Sequence, residues 1–175
     1  MKVTKKEWKQ KINNLLERRE KGTTGTSTEA IIVRDYASHL SKVFVGDSVL
    51  DVGCGSMALK ELLKGKEYYG LDAFPVNDEV IEGSIEDKKS AELFSVDTIC
   101  AFAVMDGVMD FDKAIENIKH IAQKNVVFLT GVNIPVNEYH TFELTLDDYD
   151  SRFTDWEKGY RKELVPNVWL LEYKK

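Results

Sequence analysis

Val49-Leu50-Asp51-Val52-Gly53-Cys54-Gly55 decides how the rest of the chain is read: an apolar run holding one acid stops at two glycines spaced one apart. In the stretch that follows, residues 56–65, Ala58, Leu59, Leu62 and Leu63 recur at helical spacing. Gly65 suits the cap just past the helix end. The pattern is strand, glycine turn, helix, the opening βα unit of a nucleotide-type α/β fold. Glycine lets a backbone turn tightly and approach a ligand, and a ligand held there meets the unpaired amides of a helix start.

What the turn binds depends on its acid. Gly53-Cys54-Gly55-Ser56-Met57-Ala58 fits G-x-G-x-x-A, the dinucleotide pattern. Asp51, however, is read at the carboxyl end of the strand, facing the same crevice. A carboxylate there repels a pyrophosphate and suits a cation, such as the amino group of an amino-acid-like ligand. Asp-x-Gly-x-Gly after an apolar run resembles the first motif of class I S-adenosylmethionine-dependent methyltransferases. The resemblance implies a turn under the methionine and ribose portions of the cofactor, with Asp51, Gly53, Cys54 and Gly55 in its site. Many members have a third glycine where this chain has Met57. A glycine turn in a non-binding α/β domain is the plain alternative.

Further along, the apolar run 67–71 reads as a second strand ending at Asp72, followed by Ala73 and Phe74. Asp72 stands roughly 20 residues beyond the glycines, where an acid that accepts from ribose hydroxyls belongs. Phe74 is read as packing on ribose or adenine, or as a loop anchor. Residues 78–82 read as a short third strand, and Gly83-Ser84-Ile85-Glu86-Asp87 follows. The resemblance makes this the adenine segment, with Ser84 and Ile85 in contact and Glu86 or Asp87 as the alternative acceptor. Residues 95–102 read as a fourth strand ending in Phe102, and a helix follows with Phe111, Ala114, Ile115, Ile118, Ile121 and Ala122 on one face. Residues 126–130 form the fifth strand. Near the end, residues 141–149 read as a Thr-capped helix start, and 160–165 and 168–173 as two strands joined across Pro166-Asn167. Two runs joined by so tight a turn pair antiparallel.

The expected fold is therefore a Rossmann-like, doubly wound, seven-stranded α/β sheet. It is mostly parallel, with an antiparallel C-terminal hairpin and two extra N-terminal helices. The expected organisation is one domain, with an N-terminal helical cap over 1–42 and a cofactor-binding core over 43–175. The cap begins with an amphipathic helix over 4–21, where Trp8, Ile12, Leu15 and Leu16 fall at i, i+4, i+7 and i+8. A second helix runs from Glu29 to Leu40. The Gly/Thr loop between them, 22–27, is a lid or an ordinary connector.

The formal net charge is −6, which argues against a nucleic-acid partner, since phosphate contacts need a basic face. Residues 1–21 nonetheless hold eight Lys/Arg against three Glu, the pattern of a solvated helix face. No signal peptide or membrane span is expected, and Cys54 and Cys100 suggest no disulfide framework. These features point to the cytoplasm, and the resemblance implies a small-molecule partner. No Cys/His spacing suggests a metal.

Methyl transfer is an in-line displacement that mainly needs positioning and, for weak nucleophiles, a base. His140, Asp106 and Asp110 are the candidates, and both aspartates also suit helix caps. His39 and His120 fall on helices away from the ligand edge. The resemblance thus implies a methyltransferase (EC 2.1.1 type) that uses S-adenosyl-L-methionine on an O, N or S atom of a small molecule. An NAD-type oxidoreductase and a non-catalytic interaction module are the rival classes.

Overall fold

A computed structural model of the chain describes residues 1–20 and 38–175. Its centre is a seven-stranded sheet in the order β3-β2-β1-β4-β5-β7-β6. The strands are β1 (Ser48–Val52), β2 (Glu67–Asp72), β3 (Ile81–Glu82), β4 (Val96–Phe102), β5 (Ala122–Gly131), β6 (Glu157–Val165) and β7 (Val168–Lys174). The β1–β2, β1–β4, β2–β3 and β4–β5 pairs are parallel. β7 enters antiparallel beside β5, from Asn125 opposite Lys174 to Gly131 opposite Val168, and β6 pairs antiparallel with β7. The expected sheet and its C-terminal hairpin are both present.

Alternation along the strands sends side chains to two covered faces. Leu50, Val52, Ile99, Val126 and Phe128 pack on one face, against the buried stripe of the helix α3 (Phe111–Ile121). Val49, Cys100, Val127, Leu129 and Leu170 pack on the other, against Leu40, Val43, Leu59 and Leu63. The remaining helices are α1 (Lys5–Glu20), α2 (Lys88–Leu93) and α4 (Leu146–Asp150). Asp110 caps α3 by accepting from the Lys113 amide at 3.2 Å. Thr145 caps α4 in a reciprocal box with Asp148.

Three expectations need correction. The helix after the glycine turn is a 3₁₀ segment over Ala58–Leu63. Gly53, Gly55 and Met57 all have positive φ, at 66°, 50° and 60°, and Gly65 ends the segment at 91°. Helical geometry can start only at Ala58, directly after the left-handed Met57, and the short segment takes the tighter 3₁₀ turn. β3 is two residues long rather than five, and β5 starts at Ala122 rather than Val126. Residues 38–40 are helical, but the rest of the expected second helix and the loop 22–27 lie outside the described residues. Among the described residues no helix is long and apolar enough to cross a membrane.

Candidate functional site

The carboxyl ends of β1 to β5 open into one cavity of about 530 Å³, the edge at which parallel α/β sheets bind ligands. Its floor is laid strand by strand. β1 contributes Val52 and Gly53, and β2 contributes Leu71 and Asp72. Gly53 turns under the cavity with its amide donating to the Leu71 carbonyl at 2.7 Å. A Cβ there would come within 2.3 Å of Val104 Cγ2, so only glycine fits.

Asp72 is 6% exposed and ties the turn to β2. Its Oδ2 accepts from the Gly55 amide at 3.0 Å and its Oδ1 from the Phe74 amide at 2.8 Å. Each oxygen retains a lone pair, and the residue lines the cavity. Ala73 and Phe74 continue the wall. The Gly83–Glu86 segment follows, with the Ser84 hydroxyl accepting from the Glu86 amide at 3.2 Å. The Ile85 carbonyl is held by Asn117 Nδ2 of α3 at 2.7 Å. Burial raises the Glu86 carboxyl above the usual range, although amides of Met109 and Asp110 and the Ser84 hydroxyl pull it back.

The opposite end is built by β4, β5 and the segments after them. Phe102, Ala103 and Asp106 come from β4 and its exit, Thr130 and Gly131 from β5, and Tyr139 and His140 from the segment beyond. The Asp106 carbonyl accepts from the amides of Thr141 and Phe142 at 2.7 and 3.2 Å, which holds the two exits together. His140 Nδ1 then lies 3.0 Å from Asp106 Oδ2, an ion-pair distance whose angle falls short of a well-directed hydrogen bond. Contact with Asp106 raises the imidazole above its ordinary value, while partial burial and Lys11 lower it.

α1 forms the remaining wall with Trp8, Ile12, Leu15 and Leu16. Its polar side chains fasten it to backbone carbonyls. Trp8 Nε1 donates to Gly107 at 3.0 Å, Lys11 Nζ to His140 at 2.8 Å and also to Asn137, and Asn14 Nδ2 to Glu138 at 3.0 Å. Trp8 also stacks on Phe74, with ring centroids 6.3 Å apart and planes 27° from parallel.

Of the residues singled out in the sequence, Gly53, Asp72, Ala73, Ser84, Ile85, Phe102, Asp106 and His140 line this one cavity. Asp51, Cys54 and Gly55 stand behind its wall. Asp51 does not face the crevice, because strand alternation turns it away from the face carrying Val52. It is 3% exposed and accepts from the Tyr68 hydroxyl at 2.6 Å, with Cys100 Sγ at 3.5 Å. Burial and the Asp51 charge push the Tyr68 phenol well up, so it keeps its proton. Cys54 and Met57 cover the sheet at Gly70, where a Cβ would lie 2.8 Å from Cys54 Sγ. Asp110 lies outside the wall as the cap of α3.

Sequence reasoning missed Asn117, whose polar character inside an apolar helix face was the available signal. It saw the α1 stripe without its destination, because periodicity shows that a face is buried and not against what.

No protein-family model matches the sequence, and no curated protein matches it. Among solved structures, the chain is similar to a 1,6-didemethyltoxoflavin-N1-methyltransferase of Burkholderia thailandensis with bound 1,6-didemethyltoxoflavin and S-adenosylhomocysteine. That match has a TM-score of 0.72 at 10% identity, covering 99% of this chain and 91% of that one. It is also similar to a methyltransferase seen in complex with the Haloferax volcanii Trm112 activator, with a TM-score of 0.64 at 16% identity over 92% and 94%. A magnesium protoporphyrin IX methyltransferase of Synechocystis with bound S-adenosylmethionine gives 0.59 at 13% identity over 85% and 78%. The fold is that of class I S-adenosylmethionine-dependent methyltransferases.

Proposed function

We propose that this chain binds S-adenosyl-L-methionine in the described cavity and transfers its methyl group to an O, N or S atom of a small molecule. The observation that carries the reading is the polar make-up of the wall. Asp72, Glu86 and Asp106 line it, and among the described residues no Lys or Arg does. An acidic cavity suits a cofactor that is a cation with no phosphate. It is a poor host for NAD, whose pyrophosphate would have no basic partner and three carboxylates nearby.

When bound, S-adenosylmethionine supplies a methyl group activated by a positively charged sulfur. The chain's own residues divide the remaining work. The free lone pairs of Asp72 accept from the ribose hydroxyls. Ile85 and Phe102, with Phe74, give the adenine an apolar bed, and Ser84 or Glu86 accepts from its exocyclic amine. Gly53 keeps the floor low beneath the methionine portion, and Gly55 acts through its hydrogen bond to Asp72. Asp51 and Cys54 support the turn from behind. At the other end His140, paired with Asp106, takes the acceptor's proton when neutral.

Calorimetric titration with S-adenosylhomocysteine, with NADH as control, tests the proposal. Micromolar binding of the former alone is expected. Binding of NADH alone would make the chain a nicotinamide enzyme, and binding of neither would remove the enzyme reading while leaving the fold.

A further inference from the structure

Apart from Phe102 at the end of β4, the cofactor residues occupy the β1–β3 side of the cavity, which leaves the side between Ile12, Leu15 and Leu16 of α1 and the segments after β4 and β5 for an acceptor. This inference rests on the methyltransferase reading for that division. The acceptor side is apolar from α1 (Ile12, Leu15, Leu16) and from Val108 and Ile134 beneath. Its polar groups include Asp106 and His140, which pair at 3.0 Å, and Tyr139 beside them in the chain. The Lys11 ammonium of α1 is spent on the carbonyls of Asn137 and His140. The only other group able to carry positive charge on the described wall is His140, and Asp106 already stands 3.0 Å from it.

We infer that the acceptor is an uncharged, largely apolar ring compound carrying one O–H or N–H, with the ring under α1 and that group beside His140. An anionic group buried here would meet Asp106 with, among the described residues, no cation left to pair it, a costly arrangement. A sugar would leave most of its hydroxyls unpaired against leucine and isoleucine, at a cost per group. An apolar ring with one donor satisfies both ends.

The test uses the full chain and three probes with the same ring. 2-Naphthol, 2-naphthoate and 2-naphthyl phosphate are titrated by calorimetry with and without saturating S-adenosylhomocysteine. The naphthol should bind, and the two anions should bind at least about tenfold more weakly, the effect of leaving a charge unpaired in a partly buried site. Leu16→Gln should weaken naphthol binding several-fold while leaving the heat of S-adenosylhomocysteine binding unchanged, which locates the ring under α1. Anions binding as well as the naphthol, or no naphthol binding, would overturn the inference. So would a Leu16→Gln protein that melts as the parent does and binds naphthol equally well. Failure of S-adenosylhomocysteine to bind would instead overturn the cofactor reading. The comparison among the three probes without it still judges the acceptor side.

Discussion

At the scale of single residues, the strongest commitment concerns Asp72. Its two oxygens already hold the amides of Gly55 and Phe74, so the carboxylate is fixed before any ligand arrives. Asp72→Ala should therefore weaken S-adenosylhomocysteine binding by about 1.5–3 kcal/mol, as for hydrogen bonds to a charged group. Calorimetry reads this directly, and unchanged affinity would remove Asp72 from the site. His140 makes a signed prediction. Asp106 raises the imidazole, while burial and Lys11 lower it. The neutral base is then lost as pH falls through a midpoint above the ordinary 6.5. Methyl transfer should fall with it. The pair stabilises the fold in the opposite sense: its contribution is full below the unfolded value and fades as pH rises through the folded one. In Asp106→Asn the raising cause is gone and the two lowering causes remain. The His140 midpoint, followed by NMR of its ring protons, should drop below 6.5. A midpoint that stays put would separate the two residues. Asp72 was legible in the sequence because strand, acid and spacing coincide. The orientation of Asp51 was not used, although period-two alternation from Val52 contains it.

Between elements, legibility follows how much of the outcome is local. α3 could be read residue by residue, since Phe111, Ala114, Ile115, Ile118 and Ile121 are all buried and Asp110 caps it. The segment after the glycine turn could not, because its form follows from Met57 taking a left-handed conformation at φ 60°. That conformation disfavours a side-chain-bearing residue by about 1–2 kcal/mol, and no sequence period announces it. β3 is an edge strand that pairs with Leu71 and Asp72 alone. The function of α1 is likewise tertiary. Its apolar stripe was evident, but its fastening is the work of Trp8, Lys11 and Asn14 against distant carbonyls. Trp8→Phe keeps an aromatic ring but removes the indole N–H and the second ring, leaving the Gly107 carbonyl without this donor. The lost hydrogen bond alone is expected to cost about 0.5–1.5 kcal/mol of stability, with the lost packing on Phe74 added to it, read from the urea midpoint at constant slope. A change in slope instead would mean that α1 detaches separately from the sheet.

For the molecule as a whole, the cavity draws on five strand ends, α1 and the segments between them, so a ligand in it restrains parts far apart in sequence. Gly53, Asp72, Ser84, Asp106 and His140 span 88 residues of chain yet share one wall. A ligand that binds only the folded state stabilises it by about 2.7 kcal/mol at a hundredfold excess over its Kd. For a chain of this size each kcal/mol raises the melting temperature by roughly 2–4 °C. S-adenosylhomocysteine at that excess should therefore raise Tm by about 5–11 °C in a calorimetric scan. The same ligand-to-Kd ratio should give the same rise in Asp72→Ala, whereas a fixed ligand concentration should give a smaller one. A parent protein that melts identically with and without the ligand would show that the five strand ends do not form one binding site. A rise confined to the sheet, with amides of α1 exchanging as before, would mean that the cofactor fills the β1–β3 side and leaves α1 to the acceptor. For the amides beyond Trp8, that outcome is the one the division of the cavity requires, because α1 is fastened through Lys11 to the His140 carbonyl at the acceptor end.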